Sequence, residues 1–167
     1  MSKAFTKDDD GAGEVLVVPR APLPPGVPNY VTRRGLGALQ AELTQLERER
    51  AILEGANDSD RAGRLLACSQ RLAELQSRIA AAVWVDPTSQ PQDEVRFGAT
   101  VRVRNEAGSE RDYEIVGVDE AQAELGKIAF SAPLARALSG KRTGDVAVVR
   151  TPRAEEELEV LAVCYRD

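Results

Sequence analysis

The sequence predicts an α+β protein: an N-terminal antiparallel helical hairpin (a coiled coil), then a small antiparallel sheet with one short helix. Apolar residues recur at alternating steps of three and four in residues 32–54 and 60–82, a pattern typical of paired helices. From Asp93 onward, the apolar period changes to that of strands. Because 43% of the 167 residues are hydrophobic, the chain can bury a core.

Residues 1–29 are predicted to form a disordered, proline-rich tail. This segment contains the acidic stretch KDDDGAGE and ends in PLPPGVP, and it holds five of the nine prolines. Proline fixes φ and has no amide hydrogen, so this run can join neither a helix nor a central strand. The composition therefore favours no regular structure here.

Residues 30–84 are predicted to form the hairpin. Thr32 is expected to cap the first helix, and the turn-rich sequence EGANDSD at residues 54–60 joins the two arms. Each arm of about 23 residues would be about 34 Å long. Two such arms joined by a short turn pack antiparallel and bury their apolar stripes. The residues expected in this seam are Leu39, Leu43, Leu65, Leu72, Leu75 and Ile79.

Residues 85–92 are predicted to be a linker, and residues 93–167 a second module built on strands. A short helix, PLARALSG, is expected to begin at Pro133 and to stop at Gly140. The predicted strands are Val95–Arg104, Arg111–Val118, Lys127–Phe130, Val146–Arg150 and Leu158–Tyr165.

The residue types exclude several classes of site. The chain has no histidine, which excludes Ser-His-Asp and Cys-His catalysis and every histidine-metal site. Cys68 and Cys164 form no CxxC motif, and because both lie in apolar patterns they are expected to be buried, reduced thiols. No cofactor is expected.

The charge distribution favours a protein partner. The net charge is −5, no segment forms a block of positive charge, and aromatic residues make up only 4% of the chain. These features disfavour direct binding of DNA or RNA through phosphates or stacked bases. No run approaches the roughly 20 apolar residues that a membrane helix needs, and no signal peptide is recognisable, so a cytoplasmic protein is expected.

Several motifs resemble the Gre family (GreA/GreB) of bacterial transcription factors, which bind RNA polymerase. The resemblance covers about residues 29–165, and the motifs occur in the family's order. They are NYVTRRGLGALQAEL at 29–43, VRFGATVRV at 95–103, YEIVGVDEA at 113–121 and GKIAFSAPLARALSGKRTGD at 126–145. The resemblance implies that residues 93–167 are an FKBP-like domain docked at the rim of the polymerase secondary channel, with the hairpin pointing down the channel.

The resemblance implies a polymerase-binding segment at Ser131, Ala132, Pro133 and Leu134. Family members present a Ser-Pro-containing segment before the short helix. This chain keeps the Pro-Leu-Ala-Arg-Ala-Leu frame, but Ser131-Ala132 replaces the Asp-Ser pair expected there. The loss of one charge-assisted contact implies weaker docking or different polymerase contacts. A simpler interpretation is that PLARAL is only a helix start and its core-facing side.

The acids at the hairpin tip determine whether the resemblance also implies transcript cleavage. Cleavage-stimulating members have an Asp and a Glu that hold Mg²⁺ beside the polymerase's own metal during hydrolysis of backtracked RNA. Here Glu54 aligns with the Glu, but Ala51 occupies the Asp position. Asp58 and Asp60 are nearby, although Asp58 or Ser59 can cap the second helix and Asp60 favours its dipole. The resemblance also implies a first arm about two heptads longer than this one, so the tip is expected to end about 20 Å short of the polymerase active site.

The sequence therefore leads to a non-catalytic regulator that binds the secondary channel of RNA polymerase and modulates elongation. It has no catalytic or metal-binding residues in this interpretation, and the short hairpin also resembles the Gre-related regulators of nucleoside diphosphate kinase. The alternative is a transcript-cleavage factor that uses Glu54 with Asp58 or Asp60. A remoter alternative is an FKBP-fold prolyl isomerase, which needs an aromatic-lined pocket. A fourth is a coiled-coil interaction module unrelated to polymerase.

Overall fold

The computed structural model describes residues 19–166, so the disorder expected for residues 1–18 lies outside the described residues. The described chain contains a hairpin of two helices, a pair of short strands at its base, and a five-stranded sheet with a short helix. This architecture confirms the predicted combination of a helical hairpin and a sheet domain. Within residues 19–166, no helix has the length and apolar character needed to span a membrane.

The hairpin consists of α1 (Arg33–Gly55) and α2 (Arg61–Ala80). Thr32 caps α1 as predicted, since its Oγ1 accepts a hydrogen bond of 3.0 Å from the Gly35 amide. The predicted seam is confirmed, because all six of its residues belong to one apolar cluster. The buried members of that cluster are Val31, Leu39, Leu46, Leu53, Cys68, Leu72 and Leu75, with Leu36, Leu43, Leu65, Ile79 and Ala82 packed against them.

Two strands that were not predicted close the base of the hairpin. β1 (Asn29–Val31) pairs in parallel with β2 (Ala82–Trp84), with Tyr30 opposite Val83. Each strand has only three residues, which is too short for an alternating pattern to be recognised. The pair brings the chain just before α1 alongside the chain just after α2.

The sheet is formed by β3 (Ala99–Asn105), β4 (Glu110–Val116), β5 (Lys127–Ala129), β6 (Val146–Arg150) and β7 (Glu155–Tyr165). Their spatial order is β5-β4-β3-β7-β6. All neighbours are antiparallel except β4 and β5, which are parallel, so the sheet is mixed rather than wholly antiparallel. The parallel pair arises because residues 117–126 lead from the end of β4 back to Glu114 through two 3₁₀ turns, so that β5 runs beside the second half of β4.

The second core lies between the sheet and α3 (Pro133–Leu138), the predicted short helix. Leu138 and Val95 are fully buried in this core. The cysteine prediction holds for Cys68, which is buried, and is wrong for Cys164, which is exposed. The reason is strand alternation, which turns Cys164 of β7 away from the core.

Within residues 19–28, part of the expected disordered tail, Arg20 and Ala21 contact the hairpin and the sheet domain. Arg20 is ion-paired with Asp119 at 3.1 Å, and the carbonyl of Ala21 accepts a hydrogen bond from Arg78. Proline prevents regular structure in this segment but leaves neighbouring polar groups free to find partners. The expected linker also has local order, since Asp86 caps a 3₁₀ turn at Pro87–Ser89.

Candidate functional site

The segment for which the resemblance implies polymerase binding, Ser131–Leu134, is called the docking segment below, and it leads from β5 into α3 on the surface of the sheet domain. Pro133 is exposed at the first turn of α3, where its missing amide hydrogen leaves no bond unmade. The Ala132 amide donates to the Ala129 carbonyl at 2.9 Å, which fixes the turn before the helix. Leu134 is half-buried against the sheet core. The segment is therefore both a helix start and an accessible edge.

An aromatic cleft lies immediately beside the docking segment. Three rings form its wall, with centroids 5.8 Å apart for Tyr30 and Phe97, 5.5 Å for Tyr30 and Phe130, and 5.8 Å for Phe97 and Phe130. The cleft has a volume of about 340 Å³. Its other lining residues are Val85, Gln90, Arg96, Ile115, Ala135 and Ser139.

The aromatic cleft is built by both modules of the protein. Tyr30 belongs to β1 at the hairpin base, Phe97 precedes β3, and Phe130 directly precedes Ser131 of the docking segment. Edge-to-face packing of such rings favours fixed positions over a mobile surface. The cleft could not be predicted from the sequence, because no local pattern relates Tyr30 to rings so distant along the chain.

The hairpin tip, residues 51–60, presents its carboxylates to arginines. Glu54 is exposed and ion-paired with Arg50 at 3.4 Å, one helical turn away. Asp58 is ion-paired with Arg64, and this hydrogen bond from the guanidinium holds the pKa of the Asp58 carboxyl below its ordinary value. At the start of α2, Asp60 occupies the N-cap position but makes no side-chain cap hydrogen bond, whereas the Asp58 carboxylate accepts a backbone amide there, as predicted.

One of the two acids that the resemblance implies for cleavage-stimulating members is replaced at the tip. Ala51 has no ligating group at the position expected for Asp. Asp58 also accepts the Asp60 amide at 3.1 Å, so its oxygens already have local partners. Within residues 19–166, no group of three or more Cys, Asp or Glu side chains is placed to hold a metal ion.

A third cluster joins the hairpin to the sheet domain, and the sequence analysis did not find it. This junction cluster consists of Arg20, Thr32, Arg78, Asp119 and Glu120. Glu120 accepts hydrogen bonds from the backbone amides of Thr32 at 3.2 Å and Gly117 at 3.3 Å, and from the Thr32 hydroxyl. The two carboxylates fall within the YEIVGVDEA motif, whose role in joining the modules only the three-dimensional structure makes visible.

Burial and ion pairing have opposite effects on the pKa of Arg20. Burial lowers the pKa of its guanidinium, but hydrogen bonds to Glu42 and Asp119 and the charges of these carboxylates outweigh burial, so the pKa is raised. Arg20 is therefore a permanent cation at the junction. Arg78 is also buried, with only 8% of its surface exposed.

Comparison with known proteins gives concordant matches along the chain. The family described as "Transcription elongation factor, GreA/GreB, C-term" matches residues 90–165. The chain is similar to transcription elongation factor GreB of Neisseria meningitidis serogroup B, with 39% identity over 153 residues that cover 82% of this chain and 94% of the relative. It is similar to transcription elongation factor GreA of Ralstonia nicotianae, with 38% identity over 152 residues that cover 81% and 96%.

Solved structures align over a comparable share of the chain. The transcription elongation factor GreA/GreB of Nitrosomonas europaea is 23% identical, covers 83% of this chain and 99% of its own, and superposes with a TM-score of 0.41. Thermus aquaticus Gfh1 is 25% identical, with 81% and 97% covered and a TM-score of 0.40. Since these TM-scores are low, the relationship depends on the sequence matches.

Proposed function

The chain belongs to the GreA/GreB family of transcription elongation factors, and from this premise we propose that it is a non-catalytic regulator bound to RNA polymerase. In this proposal, the sheet domain docks at the rim of the secondary channel and the hairpin enters the channel, where it modulates elongation. The protein is then cytoplasmic and is not an enzyme. The observation that most supports docking is that the exposed Pro133 edge adjoins the aromatic cleft.

The chemistry of this surface suits an apolar protein segment. The aromatic cleft offers three aromatic rings, and Arg96 at its lining is ion-paired with Glu94 at 2.6 Å, so the cleft carries no unpaired charge from this pair. Binding energy at protein interfaces concentrates where aromatic anchors exclude water, with polar groups around them. Ser131 adds a hydroxyl but no charge, so we propose that docking depends mainly on apolar contact.

The hairpin tip supports the non-catalytic part of the proposal. A second metal would need at least two free carboxylates at the tip. Glu54 and Asp58 are each held by an arginine, and Ala51 supplies no oxygen ligand from its side chain. The contrary case, transcript cleavage that uses Glu54 with Asp58 or Asp60, would require the Glu54–Arg50 pair to open, and the Asp58–Arg64 pair as well where Asp58 is the second acid.

A prolyl isomerase remains a second candidate because of the aromatic cleft, since isomerases of this fold use an aromatic-lined pocket. The two candidates separate in an assay of cis-trans isomerisation with a proline peptide and the purified protein. We expect the uncatalysed rate. Acceleration that Phe130→Ala abolishes, in a protein that still folds, would instead support the isomerase.

Binding to core RNA polymerase tests the docking proposal. Leu134→Asp introduces a charge beside the aromatic cleft and is expected to weaken binding by about tenfold or more, with a smaller loss for Pro133→Ala. Val148→Asp is the matched control, because Val148 is exposed on the opposite face of the sheet. Circular dichroism establishes that each variant folds.

Two outcomes would contradict the docking proposal. If the wild-type protein does not bind core polymerase, the chain is an interaction module with another partner. If the double variant of Pro133 and Leu134 folds and binds with wild-type affinity, the docking segment is not the contact surface.

A further inference from the structure

Two adjacent carboxylates of the sheet domain contact different parts of the hairpin. Glu120 accepts the backbone amide of Thr32, directly before α1. Asp119 is ion-paired with Arg78, near the end of α2, at 3.4 Å. Both acids lie in one 3₁₀ turn, Val118–Glu120, so a single short turn holds the bases of both helices.

The side chain of Asp119 is enclosed between two arginines. It is 8% exposed and lies between Arg78, whose side chain is 9% exposed, and Arg20, at 19%. A buried ion pair is stable only when its remaining hydrogen-bonding groups also have partners. The segment before the hairpin supplies them: Arg20 donates to Asp119 at 3.1 Å, and the Ala21 carbonyl accepts from Arg78.

Arg20 also connects the two modules directly. One of its amino groups contacts Asp119 of the sheet domain, and the other contacts Glu42 of α1. A planar guanidinium with donors in fixed directions suits such a bridge, whereas a lysine ammonium has no comparable fork. The segment before the hairpin is thus part of the joint between the modules.

From this geometry we propose that Arg20 is a positioning residue that fixes the direction of the hairpin relative to the sheet domain. The effect of Arg20 on transcription elongation rests on the proposed function above. Its role in fixing the direction of the hairpin, called the mechanical claim below, does not. For an arm of about 34 Å, a rotation of about 10° at its base displaces the tip by about 6 Å. A loosened joint would therefore misdirect the tip even when the sheet domain is correctly docked.

The mechanical claim is tested by the distance between the hairpin tip and the sheet in the full chain without polymerase. Cys164 is exposed on the sheet and Cys68 is buried, so a spin label on Cys164 can be paired with a second label introduced by Ala51→Cys. Pulsed electron paramagnetic resonance then gives the distance distribution. We expect Arg20→Ala to make it about twice as wide, because angular freedom at the base is amplified along the arm.

Matched variants separate positioning from a general loss of stability. Arg150→Ala removes an ion pair of 2.8 Å with Glu155 inside the sheet domain and should leave the distribution unchanged. Arg20→Lys keeps the charge but cannot form the fork and should give an intermediate width. If Arg20→Ala fails to fold, Arg20→Gln is judged by the same measurement. A wild-type width in a folded Arg20→Ala or Arg20→Gln variant would overturn the proposal.

A second measurement connects the joint to polymerase. With Arg20→Ala, we expect affinity for core polymerase to stay within about twofold, because the docking segment is untouched, while the effect on elongation decreases. A wild-type effect on elongation would refute the functional consequence. If the wild-type chain does not bind polymerase, the proposed function fails but the distance measurement still decides the mechanical claim.

Discussion

Gly35 lies where α1 approaches the sheet domain most closely. A Cβ atom at this position would overlap the carboxyl group of Glu120. That carboxyl group cannot move away freely, since it accepts hydrogen bonds from Thr32 and Gly117. The glycine therefore permits the contact by which the sheet domain holds the start of α1.

Replacing Gly35 by alanine is expected to destabilise the protein by about 1–2 kcal/mol, because Glu120 must give up hydrogen bonds at the helix start. This reverses the usual gain of about 0.5–1 kcal/mol for such a change inside a helix. Gly37→Ala is the matched control in the same helix: nothing lies near its added Cβ, so it should stabilise the protein. Urea unfolding of both variants is the measurement, and equal stabilisation by the two would refute this role of Gly35.

The environment of the Tyr165 hydroxyl predicts that the free energy of unfolding depends on pH in the alkaline range. Its hydroxyl donates to the Glu94 carbonyl at 2.6 Å and accepts the Arg96 amide at 3.0 Å. Burial raises the pKa of this hydroxyl above its ordinary value of 10.0. The folded state therefore favours the neutral form, and its contribution is complete below about pH 10 and is lost as the pH rises through the raised pKa.

The free energy of unfolding should accordingly fall more steeply above about pH 10 in the wild type than in Tyr165→Phe. The phenylalanine variant starts from a lower stability, because the Glu94 and Arg96 backbone groups lose their partner. Denaturant titrations at a series of alkaline pH values measure both slopes. Parallel slopes would mean that ionisation of Tyr165 has no effect on folding.

At the scale of elements, the hairpin depends on its apolar seam. Leu72 is 3% exposed in this seam, and Leu72→Ala should lower the free energy of unfolding by about 2–5 kcal/mol through lost burial and a cavity. Leu66→Ala is the control in the same helix, since Leu66 is 62% exposed, and it should change stability little. Chemical denaturation compares the two; a loss below about 0.5 kcal/mol for Leu72→Ala would contradict the seam.

Most elements could be predicted because their patterns are local. The seam residues recur with a heptad spacing. In the five strands of the sheet, apolar and polar residues alternate, or the strand lies between turn residues. The strand pair Asn29–Val31 and Ala82–Trp84 could not be predicted, because three residues carry no period. The parallel placement of β5 depends on a crossover that leaves no periodic signal.

The candidate site was predictable only where the sequence resembles a family. The resemblance indicated Ser131–Leu134, which the structure places at an accessible edge. The aromatic cleft requires Tyr30 and Phe130 to meet across the fold, and the junction cluster requires Arg20 to meet Asp119. Such contacts are set by tertiary packing, and the proline-rich composition around Arg20 even argued for disorder.

At the scale of the whole molecule, the protein combines a proposed docking surface with a short hairpin. The sheet domain and the hairpin base together form the aromatic cleft, and the junction cluster fixes their contact. The tip presents Glu54 and Asp58 beside arginines. We therefore expect the protein to occupy the polymerase channel without stimulating transcript cleavage.

Transcript cleavage in stalled, backtracked elongation complexes tests this claim most directly. The wild-type protein is added at a concentration that saturates binding to the polymerase, and the shortening of labelled RNA is followed over time. We predict the intrinsic cleavage rate of the polymerase, because Ala51 supplies no side-chain oxygen ligand and both Glu54 and Asp58 are ion-paired with arginines. Cleavage well above that rate, abolished by Glu54→Ala, would contradict the account.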